Sequence, residues 1–207
     1  LVLGTTTYIS LYTSGKPNEM LDNMTGYVII DSLNIQNGDV QTMMEQFKLL
    51  VDNDTEHEQP FHQLRIQSDY LTANVSGAFR YKTLPATIKN ILHQYLPTLV
   101  EESKQTNITN NNLDFYAYFR DLDSLTNVLN LNIDFPSFPT IKGFIHEDNH
   151  QIAVQALIPH INTDGAKMED ITIALDNQDD ELDLSVYVLN HLPQDNPTAA
   201  KLGDIKA

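Results

Sequence analysis

The chain has no cysteine and no tryptophan. Without thiols it can form neither a disulfide framework nor a thiolate metal site. Cations are scarce, with 12 Lys and Arg against 28 Asp and Glu and a formal net charge of −16. A surface that displaces counter-ions from phosphates needs clustered Lys and Arg. Here the basic residues are scattered, which argues against nucleic-acid binding. A polybasic helix lying on a membrane surface is absent for the same reason. There is no run of about 18 apolar residues, so no transmembrane segment is expected. No signal peptide is visible. The chain opens at Leu1 directly in strand-like sequence, and it reads as an excerpt of a longer protein whose targeting segment lies outside it.

What is present is enough apolar residue to build a core: 41% of 207 residues. The dominant pattern is alternation with a period of two, the mark of strands with one buried face. Leu113, Phe115, Ala117 and Phe119 share one face, and Asp114, Tyr116, Tyr118 and Arg120 the other. Leu71, Ala73, Val75, Gly77, Phe79 and Tyr81 alternate in the same way. So do Ile152, Val154, Ala156 and Ile158, then Ile171, Ile173 and Leu175, then Leu182, Leu184, Val186 and Val188. Phe47, Leu49 and Val51 follow more weakly. Around Asp31 the apolar face switches, which predicts a β-bulge there. Gly26 to Ile35 and Gly165 to Ile173 form a faint repeat, each running from Gly to an Asp five residues on and then into an apolar strand.

Asn37-Gly38 and Asp164-Gly165 have the composition of tight hairpin turns. Two segments break the strand pattern. Ile88, Ile91, Leu92, Tyr95, Leu96 and Leu99 recur at helical spacing, with Thr83 as N-cap and Pro85 in the first turn. This predicts an amphipathic helix over about 84–101, with Pro97 kinking or ending it. Leu122, Leu125, Val128 and Leu129 predict a short helix over about 121–130. The Asn-rich stretch 104–112 reads as an exposed loop, as does the acidic tip from Asn177 to Glu181.

His146-Glu147-Asp148-Asn149-His150 matches H-E-x-x-H letter by letter. That motif binds zinc because residues four apart on a helix share one face. Here both flanks read as strands, and Glu147-Asp148-Asn149 reads as a hairpin tip. No catalytic residue, metal site or cofactor is assigned; His146 and His150 would hold a metal adventitiously at most.

The whole chain therefore reads as one mainly β domain of long antiparallel strands. Its subdivisions are N-terminal strands over 1–82, a helical insertion with a strand over 83–131, C-terminal strands over 132–192 and a flexible tail over 193–207. One continuous apolar face must be buried or used. Two arrangements satisfy it: a closed β-sandwich, or an open sheet curled into a gutter and capped by the helix at 84–101. Alternation is the same in both.

Element order and local phrases carry a resemblance. The sequence runs from "SDYLTANVSGAFRY" through "TLPATIKNILHQYLP" and "LDFYAYFRDLDSLTNVLNL" to "FPTIKGFIHEDNHQIAVQALIPHI" and "GAKMEDITIALDNQDDELDLSVYVLN". With "DNMTGYVIIDSLNIQ" upstream, this resembles the TamB-like, AsmA-related translocation and assembly proteins of Bacteroidetes-type bacteria, over roughly 4–192. The resemblance implies an internal segment of a periplasmic protein anchored in the inner membrane. It implies a curved, open, apolar-lined sheet (a β-taco) that passes phospholipid toward the outer membrane, with a BamA-like barrel as partner through regions outside this chain. Leu71, Val75, Phe79, Leu113, Phe115, Phe119, Ile152, Val154, Leu182, Leu184 and Val186 would then be lipid-groove candidates. The alternative is a structural β-sandwich or adhesin-type module that holds no lipid, in which those residues pack a core.

Overall fold

A computed structural model describes residues 2–14, 16, 20, 22–54, 61–103, 110–131, 133–163, 166–177, 181–193 and 205–206. The fold is built by adding one antiparallel strand after another. The strands are β1 (Val2–Tyr12), β2 (Thr25–Asn37), β3 (Val40–Asp54), β4 (Phe61–Ser68), β5 (Leu71–Ala78) and β6 (Asn112–Phe119). After these come β7 (Ile133–Asp134), β8 (Thr140–His146), β9 (Gln151–Thr163), β10 (Ala166–Asp176), β11 (Asp183–Pro193) and β12 (Ile205–Lys206). They form one 12-stranded sheet in the order β1-β2-β3-β4-β5-β6-β8-β9-β10-β11-β12, with β7 paired to β9 off this path. The sheet is open: β1 does not pair with β11 or β12, and no second sheet faces it among the described residues. The expected mainly β class with an open sheet holds, and the closed sandwich is not what the chain adopts.

The helices are α1 (Leu84–Tyr95), between β5 and β6, and α2 (Leu122–Val128), between β6 and β7. α1 is shorter than the periodicity predicted. It stops at Leu96, just before Pro97, and Leu99 beyond it is exposed. The proline overrides the apolar spacing because its ring cannot enter a helix interior without losing a hydrogen bond and clashing with the preceding turn. Ile91 is buried with Phe79, Leu113, Ile145 and Ile152, and Leu84, Ile88 and Tyr95 pack around them. α1 thus lies on the apolar face at one end of the central strands. α2 lies at the opposite end of the strands, against β2 and β3. There Met44, Tyr70 and Val128 are buried.

The bulge expected near Asp31 is present. Ser32 has φ 53°, and the β1–β2 register shifts between Gly4 and Thr6. The other half of the faint sequence repeat has a similar irregularity, with Asp170 at φ 50°. Its neighbour across β9 is Pro159, which has no N–H to donate, and the pairing passes from Glu169–His160 to Ile171–Ile158 around it. Both wings of the sheet can bend at these points.

The first hairpin differs by one residue from its sequence reading. Asn37 pairs with Val40, so Gly38-Asp39 is the two-residue turn, with Gly38 at φ 61°. A glycine at the first central position suits a type II′ turn. Asn37 does other work: its Nδ2 donates to the Val128 carbonyl at 2.9 Å and ties the turn region to the end of α2. The Asp164-Gly165 turn lies outside the described residues.

Candidate functional site: an uninterrupted apolar face

Strand register converts separate alternating runs into a surface. Ile9 pairs with Val28, Val28 with Leu49, Leu49 with Ile66 and Ile66 with Ala73. The same row continues through Ala117, Ile141, Ala156 and Ile173 to Val186 on β11. One step along the strands, a second row starts at Leu11 and Gly26 and runs through Val51, Leu64, Val75 and Phe115. It passes Gly143, Val154 and Leu175 and ends at Leu184. Neither row contains a polar side chain.

The opposite face is different. Its row between these two reads Ser10, Tyr27, Leu50, Arg65, Asn74, Tyr116, Lys142, Gln155, Ala174 and Ser185. The sheet is therefore amphipathic across its width, polar on one side and apolar on the other.

Glycine permits one close approach within the apolar row. A Cβ on Gly143 would lie 2.2 Å from the Ala153 carbonyl oxygen and 2.7 Å from Phe115 Cζ. The Phe115 ring thus occupies the space that a side chain at 143 would need. A cavity of about 400 Å³ adjoins these strands; besides Phe115, Gly143, Val154 and Leu175 it is lined by Asp114, Lys142, Phe144, Ala153, Gln155, Ala174 and Asp176, which alternate onto the opposite, polar face.

Two buried asparagines fix α1 over the end of this face. Asn111 is fully buried. Its Nδ2 donates to Thr83 Oγ1 at 3.1 Å and Thr87 Oγ1 at 2.7 Å, and its Oδ1 accepts from the Arg80 N–H at 2.7 Å. Asn177 holds the other end of the helix. Its Nδ2 donates to Tyr95 Oη at 3.0 Å and to the His150 carbonyl at 2.6 Å, and its Oδ1 accepts from the Ile152 N–H at 2.8 Å. Both residues were expected in exposed loops, and both are buried. Local composition marks Asn as a turn former but carries no information about a helix arriving from elsewhere in the chain.

A third polar group lies in the row beneath α1. His62 is fully buried between the rings of Phe79 and Tyr81, with centroids at 4.9 and 4.8 Å. Its Nδ1 donates to Asn53 Oδ1, and Nε2 is buried with no hydrogen-bond partner among the described residues. Burial pushes the His62 pKa down; Asp22 and the Phe79 backbone oppose this in part. The Tyr81 phenol is pushed up to about 12, by burial first and by Asp22 second. Asp22 is itself buried, accepting from the Tyr81 N–H at 3.0 Å and lying 3.5 Å from Arg80.

The structure divides the sequence-predicted groove residues. Phe79, Leu113 and Ile152 are only 2%, 3% and 5% exposed beneath α1, so they are core and line no accessible groove. Val75, Phe115 and Val154 are half-buried beside that core. Leu71 pairs with Phe119 at the end of the strands away from α1, both half-buried. Leu182 precedes β11 and lies outside the strand. Val186 is half-buried, and Leu184 is 45% exposed. The open part of the face lies on the wings: Ile173 is 37% exposed and Ile9 is 64% exposed. Ile9, Val28, Ile66, Ala117, Ile141 and Ile173 belong to the face as much as the expected residues do. Alternation marks them as strand residues; only the register shows that they line up.

H-E-x-x-H spans the last residue of β8, a 3-10 turn (Glu147–Asn149) and the turn residue His150 just before β9. His146 stacks on Phe144, with centroids at 4.6 Å. His150 takes a left-handed backbone, φ 54°. Glu147 Oε2 accepts from the Asn111 N–H at 2.7 Å, so this carboxylate supports the α1 attachment. His160, the nearest other histidine in sequence, is nine residues along β9, roughly 30 Å away at the usual strand rise. There it faces Glu169. Among the described residues no group of three His, Asp or Glu side chains is placed to hold a metal ion. No helix among them is long and apolar enough to cross a membrane.

Comparison with known proteins gives no match to any family model, curated sequence or solved structure.

Proposed function

We propose that this chain is a non-catalytic segment of a longer cell-envelope protein, in which the apolar face of the open sheet carries the acyl chains of phospholipid. The observation that supports this reading most strongly is the pair of apolar rows running from β1 to β11 without a polar side chain. A sheet face of this length is ordinarily covered by a second layer. Here α1 and α2 cover its ends, and the wings stay exposed. An acyl chain needs only apolar area, at roughly 25 cal/mol per Å² removed from water. It needs no fixed polar partner, and the rows offer none.

The resemblance to TamB-like, AsmA-related proteins points the same way. On that reading the segment works in the periplasm as part of an inner-membrane-anchored protein. It passes phospholipid between the membranes or supports outer-membrane protein assembly, with a BamA-like barrel engaged by other regions.

Native mass spectrometry of the purified chain tests the reading. It should show phospholipid bound to the folded protein. Ile173→Glu combined with Leu184→Glu places charge on the exposed wing and should remove most of that lipid while the protein stays folded. A folded protein free of lipid after purification and after incubation with phospholipid vesicles would sink the proposal.

A further inference from the structure

The cavity beside Gly143 belongs mostly to the polar face of the sheet, which the proposed function leaves unused. It spans four strands in the middle of the chain's pairing order, β6, β8, β9 and β10, so its side chains are held in a fixed register. Across these strands one row reads Asp114, Phe144, Ala153 and Asp176, and the row beside it reads Lys142, Gln155 and Ala174. Neighbouring strands lie about 4.8 Å apart. Ala153 and Ala174 carry the shortest side chains in these rows, so a depression forms over them with longer side chains on its rim. The sequence makes it locally, by putting an alanine on the polar side of β9 and another on the polar side of β10.

The rim has a definite chemistry. Phe144 presents a ring, one face of which is taken by His146 with centroids at 4.6 Å. Asp114, at the far edge, lies 3.9 Å from His146 Nε2. Asp176 and Gln155 are half-buried, and Lys142 is exposed. No hydrogen bond or ion pair among the described residues uses these three side chains. A carboxylate only accepts hydrogen bonds, an ammonium only donates them and an amide does both. A hydroxyl donates and accepts, so a ligand bearing several can satisfy all three. A charged ligand fits less well: an anion faces Asp114 and Asp176, and an ammonium faces Lys142. The alanine floor and the Phe144 ring suit the C–H face of a sugar, because weakly positive C–H groups are drawn to the negative face of an aromatic ring.

We infer that this depression binds a neutral saccharide. A sugar ring lies over Ala153 and Ala174 against Phe144, and its hydroxyls are shared among Asp176, Gln155 and Lys142. At about 400 Å³ the space falls at the small end of ligand pockets and takes one or two sugar rings. It lies on the face opposite the apolar rows, so the inference does not rest on lipid binding, and both faces can be occupied at once.

Amide-resolved NMR of the isotope-labelled full chain tests it. The probes are maltose, cellobiose, lactose and N-acetylglucosamine, with acetate and butylammonium as charged comparisons. At least one sugar should shift the amides around Ala153 and Ala174 saturably and leave those of β1 and β2 unmoved. Asp176→Ala removes an ionised acceptor and should weaken that binding by roughly tenfold. Ala153→Gln fills the depression and should weaken it at least as much. Both positions lie on the polar face, and the unshifted remainder of each spectrum reports that the fold is kept. No saturable shift with any of the sugars would overturn the inference. So would tighter binding of acetate or butylammonium than of every sugar, or sugar binding that both variants leave unchanged.

Discussion

Asn111, Asn177 and His62 show how single buried polar groups fix the position of a helix. Asn111 uses its side-chain amide on α1 and on the chain leading to it, while its backbone meets Glu147. Asn111→Ala leaves the buried Arg80 N–H and two threonine hydroxyls short of a partner. Unmade buried hydrogen bonds of this kind cost about 1–3 kcal/mol each. The expected loss is on the order of 3 kcal/mol, read from the denaturation midpoint. Glu147→Gln keeps an oxygen for the Asn111 N–H and should cost under about 1 kcal/mol. His62 gives a pH dependence. Its folded pKa lies below the 6.5 of the free side chain, so the unfolded chain binds a proton more readily. Its contribution is fully present above pH 6.5 and declines as the pH falls below 6.5 toward the lowered folded pKa. His62→Gln should flatten that part of the stability profile. A slope unchanged in the variant would assign it to other groups.

At the scale of elements, the sequence carries most of the long strands and both helices because alternation and helical spacing are local; β4 (Phe61–Ser68) is not among the alternating runs it marks. It also carries the bulge near Asp31, since a face switch inside an apolar run leaves a mark in the residues themselves. It does not carry the helix end at Tyr95 as firmly, because apolar spacing continues through Pro97 to Leu99 while the backbone cannot. Nor does it carry the burial of Asn111 and Asn177. Their partners, Thr87 and Tyr95, lie 24 and 82 residues away. The groove was legible only in part for the same reason. Phe79, Leu113 and Ile152 read like their strand neighbours, and it is the placement of α1 that makes them core. If α1 is pinned at both ends, the pins should act separately. Asn177→Ala should speed amide exchange chiefly near Tyr95, and Asn111→Ala chiefly near Thr87. Ile91→Ala removes the helix's most buried apolar contact and should cost about 2–5 kcal/mol. Uniform exchange along α1 in both asparagine variants would mean that the helix opens as a unit.

For the whole molecule, the decisive property is an amphipathic sheet that does not close. Its polar face is Ser10 to Ser185; its apolar face is Ile9 to Val186 and Leu11 to Leu184. On the proposed reading acyl chains lie on the apolar side, and that reading requires contact on that side alone. Photo-cross-linking reads this directly. A photoreactive residue at Ile173 or Leu184 faces the apolar side, and one at Thr172 or Ser185 faces the other. With phospholipid vesicles as the source, cross-linked lipid is expected at 173 and 184 and at neither 172 nor 185. Equal labelling of both faces, or none on either, would contradict the account.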